Sequence, residues 1–370
     1  PQIPPIRAAR ERGVCVISEL EFAWQFCRSR TLAVTGTNGK TTTTELLKSL
    51  IAACEKTVFL AGNNDVPFSA AVMESPAPEF MVLEVSSYQL ELASTFEPWI
   101  GCVLNVTPDH LSRHGTMEEY ARVKAKMFQA QRPGDFGVVN ADDVWTDAMK
   151  VPDGVTKLRF SVSKPVTDGL WTDGTAIFEG ENVVAKTSDN PLPGRHNLEN
   201  VLAALTMVRA ADLPWDRVIQ GLRAFRGVEH RIEFVTEKHG VRYYNDSKST
   251  NIDSLRVALE SFDVPVVLIA GGRGKGADYR VLRELVNQRV RAMVVLGEDA
   301  PLFENAFGDI VRCVRADDMG DAVRRASSLA EFGDVVLLSP ACASFDMFQN
   351  FEHRGTVFKD CVRRYLSEGG

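Results

Sequence analysis

Short apolar runs alternate with helical patterns along the first part of the chain. The runs TLAVTG, FMVLEVSS, GCVLNVTPDH and DFGVVNADD each end in polar residues. Between the first two runs, apolar residues recur at the spacing of a helix, at Leu46, Leu47, Leu50, Ile51 and Cys54. This alternation predicts a parallel, doubly wound sheet. Such sheets bind ligands beyond the carboxyl ends of their strands, which is where the polar residues lie.

The pattern changes between residues 157 and 186, and again near Gly227. KLRFSVS, GLWTDGTAIFEG and ENVVAK alternate polar and apolar positions and are broken by Asp-Gly and Gly turns, which predicts antiparallel strands appended to the first sheet. Helices are predicted over residues 197–211 and 215–225, followed by a hairpin in RIEFVTEKHGVRYYNDS. The runs VPVVLIAGG, VRAMVVLG, IVRCV and DVVLLSP then predict a second α/β unit.

The segment TLAVTGTNGKTTTTELLKSL places two glycines where a predicted strand turns into a helix. The common phosphate-binding loop has four residues between its first glycine and its Gly-Lys pair. Here only Thr37 and Asn38 separate Gly36 from Gly39 and Lys40. The generic motif is therefore not met, although the strand-to-helix geometry still aims free backbone N–H groups at an anion.

The side chains after these glycines suit a metal-bound phosphate. Lys40 can contact phosphate oxygens as a point charge, and the hydroxyl of Thr41 or Thr42 can ligate the accompanying magnesium. The alternative is a tight turn that carries a solvated lysine.

Composition limits the class of protein. The 370 residues have ordinary globular composition, with 45% hydrophobic and 25% charged residues. The net charge of -7 and the lack of a basic stripe argue against nucleic-acid binding. Seven scattered cysteines without Cys-x-x-Cys spacing indicate a reducing cytoplasm, and no apolar stretch approaches the roughly 20 residues of a membrane span.

Further candidate residues follow the next two predicted strands. Glu84 ends an apolar run and could ligate a metal-bound triphosphate, or it could cap a helix. Asp109 and His110 end the next run, where a neutral imidazole could bind a divalent metal, although such a pair can also be structural. Lys124 and Lys126 fall on a predicted helix, where solvated lysines are the ordinary interpretation.

A polar cluster opens a later predicted helix. In PGRHNLENVLAAL, the residues His196, Asn197 and Asn200 lie near the helix start. The cluster is either a helix cap or a set of nucleotide contacts.

Several motifs together resemble a known family. TGTNGKTTT, LEVSSYQL, NVTPDHLSRH, YARVKAKMF and PGRHNLENVLAA occur in this order and resemble the central ATPase domain of the Mur ligases and of the related folylpolyglutamate synthases. The motifs HRIEF, NDSKSTN, GGRGKGADY and LSPACASFDMFQNFEHRG are similar to those of family members that add glutamate, rather than alanine, a diamino acid or a dipeptide. The resemblance covers essentially the whole chain, and the shortened loop is the family's own form.

The resemblance implies an α/β fold and a domain order. A central P-loop ATPase domain with a mostly parallel sheet plus a small antiparallel sheet is expected over residues 21–226. A C-terminal Rossmann-like α/β domain that binds glutamate is expected over residues 227–370. Residues 1–20 are expected to be the remnant of an N-terminal UDP-binding domain, so the chain is interpreted as truncated at its N-terminus.

The resemblance also implies an activity. An ADP-forming amide ligase of peptidoglycan precursor synthesis is expected, in which ATP phosphorylates the alanine carboxylate of UDP-N-acetylmuramoyl-L-alanine and the amine of D-glutamate attacks the acyl phosphate. The residues themselves do not settle the stereochemistry of the glutamate. A cytoplasmic monomer without nucleic-acid or membrane partners is expected. Two alternatives remain: a related ligase for folate or another amino acid, and a nucleotide-binding fragment without ligase activity.

Roles for individual residues follow from the matching motifs. Catalytic roles are implied for Lys40, His110 and Lys124. Two magnesium ions are expected, with ligands from Thr41, Glu84, His110 and a carbamylated Lys124. Nucleotide or phosphate contacts are expected from Gly36, Thr37, Asn38, Gly39, Lys40, Thr41, Thr42, Asn63, Asn197, Asn200, Arg231 and Asp246. The incoming glutamate is expected to contact Lys248, Thr250, Lys275, Ser344, Phe345 and Phe351.

One short stretch departs from the family pattern. The family usually has Gly-Asn-Ile-Gly-x-Pro after the first helix, whereas this chain has Gly-Asn-Asn-Asp-Val-Pro from Gly62 to Pro67. Asn63 stays in register, but an acid at Asp65 leaves the local contacts open.

Overall fold

The fold was determined as a computed structural model, which describes residues 4–64, 66–274 and 276–367. The chain divides into two compact units, Pro1–Phe225 and Arg226–Gly370. Among the described residues, no helix has the length and apolar character needed to cross a membrane. The predicted α/β class is confirmed in both units.

The first unit contains a nine-stranded sheet, in the part of the chain that the structure describes. Its strands are β1 (Arg30–Thr35), β2 (Val58–Gly62), β3 (Phe80–Glu84), β4 (Ile100–Val103), β5 (Phe136–Asn140), β6 (Thr156–Ser161), β7 (Gly169–Thr172), β8 (Ala176–Glu179) and β9 (Asn182–Lys186). Their order is β2-β3-β1-β4-β5-β6-β7-β8-β9. The carboxyl ends of β3, β1 and β4 are therefore neighbours, and the loops that follow them lie at one edge.

The helices of this unit connect and cover the sheet. They are α1 (Pro4–Glu11), α2 (Glu19–Trp24), α3 (Lys40–Ala53), α4 (Phe68–Ala71), α5 (Ser87–Leu90), α6 (Leu111–His114), α7 (Met117–Ala125), α8 (Val144–Asp147), α9 (Arg195–Ala210) and α10 (Trp215–Ala224). Helix α3 contacts both α9 and α10. A Cβ at Gly221 would lie 2.8 Å from the Cβ of Ala53, so glycine allows α10 to approach α3 closely.

The parallel strands are buried as their apolar runs predict. Leu32, Ala33 and Val34 of β1 are fully buried, and so are Val82 and Leu83 of β3. Strands covered on both faces must be apolar at every position rather than at alternate ones, because neither face meets water. Because both faces are covered, polar side chains collect at the carboxyl ends of the strands, where Thr35 and Glu84 are themselves buried.

The prediction of antiparallel strands between residues 157 and 186 was partly wrong. β8 pairs antiparallel with β7 and β9, as predicted. β6 pairs parallel with β5, and β7 pairs parallel with β6. The glycine turns that indicate hairpins lie only around Gly174 and Gly180, between β7, β8 and β9. The longer segment between β6 and β7 does not force antiparallel pairing, because only tight turns do so.

The second unit is a six-stranded sheet covered by helices, again within the described residues. Its strands are β10 (Glu233–Lys238), β11 (Val241–Asn245), β12 (Val266–Gly271), β13 (Val290–Leu296), β14 (Arg312–Arg315) and β15 (Val335–Leu338), in the order β10-β11-β15-β12-β13-β14. Its helices are α11 (Ile252–Glu260), α12 (Arg283–Arg289), α13 (Ala300–Phe307), α14 (Met319–Leu329) and α15 (Phe351–Ser367). β10 and β11 form the predicted hairpin, and the other pairings are parallel.

Candidate functional site

The loop between β1 and α3, which we call the phosphate loop after its predicted ligand, leads into a helix start of a kind that can bind an anion. Gly39 occupies the cap position with φ +84°, a left-handed conformation that favours glycine, and it makes no side-chain cap hydrogen bond. The first backbone N–H groups of a helix have no partner within the helix. Those of Thr41 and Thr42 therefore face the space beyond the strand ends, together with the positive end of the helix dipole.

Two lysines from distant positions meet at the carbonyl oxygen of Gly36. Lys40 Nζ donates to this oxygen at 3.0 Å and to the carbonyl of Thr37 at 2.8 Å. Lys124 Nζ donates to the same Gly36 oxygen at 2.8 Å, although Lys124 is only 1% exposed. The ordinary interpretation of Lys124 as a solvated lysine is therefore wrong, because its helix turns it into the interior.

The surroundings of Lys124 favour its neutral form. Burial and, to a smaller extent, the positive charge of Lys40 lower the pKa of Lys124 to about 6, while Asp109 opposes the shift. Its Nζ lies 4.5 Å from the centre of the Tyr120 ring. A lysine that holds a free amine at neutral pH can act as a nucleophile, which an ordinary surface lysine does not do.

Asn200 lies directly against the loop. A Cβ placed on Gly39 would come within 2.1 Å of Asn200 Oδ1, so glycine is needed for this contact. Asn200 Nδ2 is 3.4 Å from Asn197 Oδ1, and Asn197 Nδ2 donates to the carbonyl of Pro193 at 2.7 Å. Both asparagines are buried near the start of α9. The structure thus brings Asn200 to the phosphate loop, whereas Asn197 contacts Asn200 and not the loop-facing oxygen.

Glu84 has the properties of a metal ligand. It ends β3 at 4% exposure, and its Oε1 accepts a hydrogen bond from Asn63 Nδ2 at 3.1 Å. Its Oε2 is buried without a hydrogen-bond partner. A buried carboxylate oxygen without a partner is costly, and coordination of a cation would satisfy it. These donors fit magnesium, with the half-buried Thr41 in the first turn of α3.

His110 lies at an exposed turn beyond β4. It has φ +52° and precedes α6. Its Nδ1 is 3.2 Å from the hydroxyl of Tyr88, and its Nε2 is 3.4 Å from a carboxylate oxygen of Asp109. Both ring nitrogens therefore already have a polar neighbour, so a metal ion would bind His110 by replacing the Tyr88 hydroxyl or the Asp109 carboxylate at one of them.

Residues that the motif analysis did not single out support this site. His114 is buried, with Nε2 3.0 Å from the hydroxyl of Ser87 and its ring stacked on Tyr120 at 4.9 Å. Burial lowers the pKa of His114. Asn105 accepts hydrogen bonds from the phosphate loop. All four residues lie inside the quoted motifs, but their burial and partners come from tertiary packing and leave no mark on local spacing.

In the second unit, Asp246 is a buried carboxylate beside a strand end. Its side chain accepts hydrogen bonds from the hydroxyl of Ser339 at 2.8 Å and from the backbone N–H of Ile232 at 3.2 Å. Burial raises the pKa of Asp246 to about 7. Arg231 is exposed and lies one residue before Ile232 in the chain. Asp246 and Arg231 are thus brought close by the turn that precedes β10.

Arg354 joins the motifs predicted to bind glutamate. It is 2% exposed, and its guanidinium donates to the hydroxyl and carbonyl oxygens of Ser247 and to the carbonyl of Cys342. Burial lowers the pKa of Arg354 to about 10. The hydroxyl of Ser247 donates to the carbonyl of Phe351. Three sequence-distant segments therefore meet at one buried side chain that the motif analysis quoted but did not assign.

The predicted glutamate contacts lie on these three segments. Lys248 Nζ is 5.4 Å from the centre of the Phe351 ring, and Thr250 is half-buried two residues beyond Lys248. Ser344 is buried, whereas Phe345 is 65% exposed. The remaining predicted contact, Lys275, lies outside the described residues, as does Asp65 of the departing stretch.

Comparison with protein families gives two matches that together cover most of the chain. The model of the Mur ligase middle domain matches residues 34–208, and the model of the Mur ligase glutamate ligase domain matches residues 230–342.

Curated relatives match along nearly the whole chain. A protein of Pelotomaculum thermopropionicum named UDP-N-acetylmuramoylalanine--D-glutamate ligase is 46% identical over 97% of this chain and 80% of the relative. A protein of the same name from Koribacter versatilis is 41% identical over 99% of this chain and 81% of the relative. The chain thus spans about four fifths of the length of these relatives.

Solved structures share the fold at lower identity. MurF from Acinetobacter baumannii superposes with a TM-score of 0.71 at 18% identity, over 93% of this chain and 79% of that one. MurC from Thermotoga maritima gives a TM-score of 0.67 at 19% identity, over 100% of this chain and 84% of that one. From the two family models and the high identity of the relatives, we conclude that the chain belongs to the Mur ligase family.

Proposed function

We propose that the chain is an ATP-dependent amide ligase that joins D-glutamate to UDP-N-acetylmuramoyl-L-alanine. The curated relatives carry this name at 39–46% identity, and Mur ligases in general use ATP and magnesium. The observation that carries the proposal is the convergence of Lys40 and the buried Lys124 on the Gly36 carbonyl, beside an uncapped helix start. This arrangement suits phosphoryl transfer to a carboxylate.

The first chemical step must bring one anion onto another. Two unit charges 4 Å apart repel by about 4 kcal/mol at an effective dielectric constant of 20. Lys40 and the N–H groups of the first turn of α3 oppose this repulsion and stabilise charge on the transferring phosphoryl group. Glu84 and Thr41 would hold a magnesium ion, which would supply further charge neutralisation. The alanine carboxylate attacks the γ-phosphorus of ATP and ADP leaves, which gives an acyl phosphate. The glutamate amine then attacks the carbonyl carbon, loses a proton and expels phosphate as the amide forms.

Lys124 is proposed to be carbamylated. A lysine with a pKa near 6 holds a free amine at neutral pH, and that amine can add CO2 to give a carbamate. The modification exchanges a positive charge that repels magnesium for an anionic oxygen pair that can ligate it. His110 would supply a further ligand to the magnesium ion that the carbamate binds, which would be the second ion of the site. Nucleotide or phosphate contacts are proposed for Asn63, Asn197, Asn200, Arg231 and Asp246.

The glutamate is proposed to bind in residues 227–370, and most of the ATP contacts are proposed to lie in residues 21–226. The two carboxylates of glutamate require cations, hydroxyls and backbone donors. Lys248, Thr250, Ser344, Phe345 and Phe351 lie on the segments that Arg354 ties together, and Lys275 follows β12 in the sequence. The protein is proposed to act as a monomer.

The test is release of phosphate from ATP, measured on the 370-residue chain and on the same chain with an N-terminal UDP-binding domain restored. Release should require both UDP-N-acetylmuramoyl-L-alanine and D-glutamate, and L-glutamate should not replace the D-isomer. Lys40→Ala should abolish turnover with little effect on the melting temperature, because the side chain contributes little burial. Lys48→Ala is the matched control, since Lys48 is an exposed lysine on the same helix. Phosphate release in the absence of UDP-N-acetylmuramoyl-L-alanine or of D-glutamate would contradict the proposal. Wild-type turnover by Lys40→Ala would also contradict it.

A further inference from the structure

Asn105 makes three hydrogen bonds to the phosphate loop through its side chain. It lies half-buried two residues beyond β4. Its Oδ1 accepts from the backbone N–H of Thr37 at 3.0 Å and of Asn38 at 2.9 Å. Its Nδ2 donates to the carbonyl of Asn38 at 3.2 Å. Two donors on one side and an acceptor on the other fix the orientation of the amide group.

These bonds determine which loop groups face the anion. In the usual glycine-rich loop, successive N–H groups surround the phosphate. Here the N–H groups of Thr37 and Asn38 point to a neutral amide, and the N–H of Thr37 also lies 3.1 Å from the backbone carbonyl of Asn105. The phosphates are therefore left to Lys40 and the first turn of α3. A loop two residues shorter than usual can then hold its shape without a bound anion.

The Thr37 hydroxyl strengthens the connection to the same segment. It accepts from the backbone N–H of Thr107 at 3.0 Å, and it lies 3.2 Å from the carbonyl of Thr107. The Thr37 hydroxyl also lies 3.4 Å from the hydroxyl of Tyr120. The loop is thus tied to residues 105–107, which lead directly to His110.

We propose that Asn105 is a positioning residue that holds the loop in its triphosphate-binding shape and fixes it relative to the segment that carries His110. The inference rests on the proposed function, since ATP is the ligand. Removal of the amide leaves the backbone N–H and carbonyl of Asn38 without this partner, while the N–H of Thr37 keeps only the backbone carbonyl of Asn105. Because unsatisfied groups cost free energy, the loop would leave this shape and sample others.

The experiment compares Asn105→Ala and Asn105→Asp with Asn140→Asp in the full chain. Asn140 is a matched control, because it ends the neighbouring strand β5 and its Oδ1 accepts from the backbone N–H of Asp142 at 2.9 Å. Two quantities are measured: the KM and kcat for ATP, and hydrogen–deuterium exchange of the peptide over residues 36–42 without nucleotide.

Asn105→Ala should raise the KM for ATP by about tenfold or more, because loop groups left unpaired cost about 1.4 kcal/mol. It should also speed hydrogen–deuterium exchange of the loop. Asn105→Asp retains an acceptor for both N–H groups, so loop exchange should stay slow. Its added negative charge and lost donor should still reduce kcat/KM for ATP. This loss should shrink as the pH falls, because a protonated carboxyl regains a donor for the Asn38 carbonyl. Asn140→Asp should leave both readouts within about twofold of wild type.

Different results would overturn the positioning role of Asn105 and the proposed function. Unchanged loop exchange and unchanged KM in Asn105→Ala would overturn the role of Asn105, and so would equal losses in Asn140→Asp. If Lys40→Ala also turns over normally, then the phosphate-loop assignment fails, whatever Asn105 shows. If Lys40→Ala is inactive while Asn105→Ala matches wild type, then the proposed function stands and only the positioning role falls.

Discussion

Lys124 combines a cost in stability with a chemical use. A lysine at 1% exposure is far from water, and its neighbour at the Gly36 carbonyl is another lysine. Burial of a charge without a counter-ion is expensive, so the group gives up its proton instead. The same loss of the proton makes the amine available to CO2. Stability is therefore reduced at the position where reactivity is needed, as at many functional sites.

Lys124→Met should flatten the pH dependence of stability while it abolishes ligation. The pKa of Lys124 falls from 10.5 to about 6 on folding, so between these values the unfolded chain binds the extra proton. Wild-type stability in CO2-free buffer should therefore rise with pH across this window, and the variant should lack that rise. Chemical denaturation at several pH values measures it. Equal slopes in both proteins would contradict the assignment.

The carbamate itself can be detected directly. With carbon-13 bicarbonate, the wild-type protein should show a carbamate resonance that Lys124→Met lacks. Lys126→Met is the matched control and should keep the resonance, because Lys126 is two residues away and donates instead to the carbonyls of Glu91 and Ala93. A resonance that survives Lys124→Met, or its absence from active wild-type enzyme, would rule out carbamylation of Lys124.

Glu84→Gln should weaken the response to magnesium more than it weakens the fold. The amide keeps the shape of the side chain but removes the charge from the unpartnered Oε2. The magnesium concentration for half-maximal phosphate release should rise by about tenfold or more, since a lost ligand bond to an ion is worth at least about 1.4 kcal/mol. Glu79→Gln is the control, because Glu79 is exposed and pairs with Lys56. An unchanged magnesium requirement would exclude Glu84 as a ligand.

The sequence predicts a residue of the site when a side chain of suitable chemistry stands at the end of a predicted strand. Glu84 follows an apolar run, so it is predicted to lie at the carboxyl end of a strand. The structure places it there, as the last residue of β3. Asn105 and Arg354 could not be found in this way. An asparagine in a loop and an arginine on a helix are ordinary locally, and only packing reveals three specific hydrogen bonds for each.

At the scale of elements, the strand–loop–helix unit of β1 and α3 depends on one glycine. Gly39→Ala should disrupt nucleotide binding, because the added Cβ would lie 2.1 Å from Asn200 Oδ1. A left-handed alanine costs about 1–2 kcal/mol even without a clash. Gly134→Ala isolates that cost, since Gly134 has φ +99° and open space around it. Calorimetry with ATP should show loss of binding only for Gly39→Ala, and equal affinities would contradict this.

Prediction of elements succeeds where burial determines the pattern. The fully buried strands appear as continuous apolar runs, and their parallel pairing follows from the helices between them. β6 and β7 show the limit, because alternation of polar and apolar positions is compatible with either direction of pairing. Only the neighbour in space decides the direction, and a single sequence does not contain that neighbour.

At the scale of the whole molecule, each unit has its own apolar core. In the first unit, one buried cluster extends from Leu20 to Met149. In the second unit, two clusters pack on the sheet, one around Phe303 and the other around Phe358. Separate cores allow units of a chain to fold by themselves. We therefore expect residues 226–370 to fold cooperatively when expressed alone.

The second unit should carry a pH signature of its own. The pKa of Asp246 rises from 3.8 to about 7 on folding, so the folded unit retains a proton that the unfolded chain loses. The stabilisation from this group is complete below about pH 4 and is lost as the pH rises through 7. Asp246→Asn keeps a neutral group of the same shape and should remove this decline. Urea unfolding of residues 226–370 between pH 4 and 8, followed by circular dichroism, measures both. If the fragment shows no cooperative transition, then its core is insufficient alone. If the stability of wild type and of Asp246→Asn falls equally with pH, then Asp246 ionises normally in the folded unit.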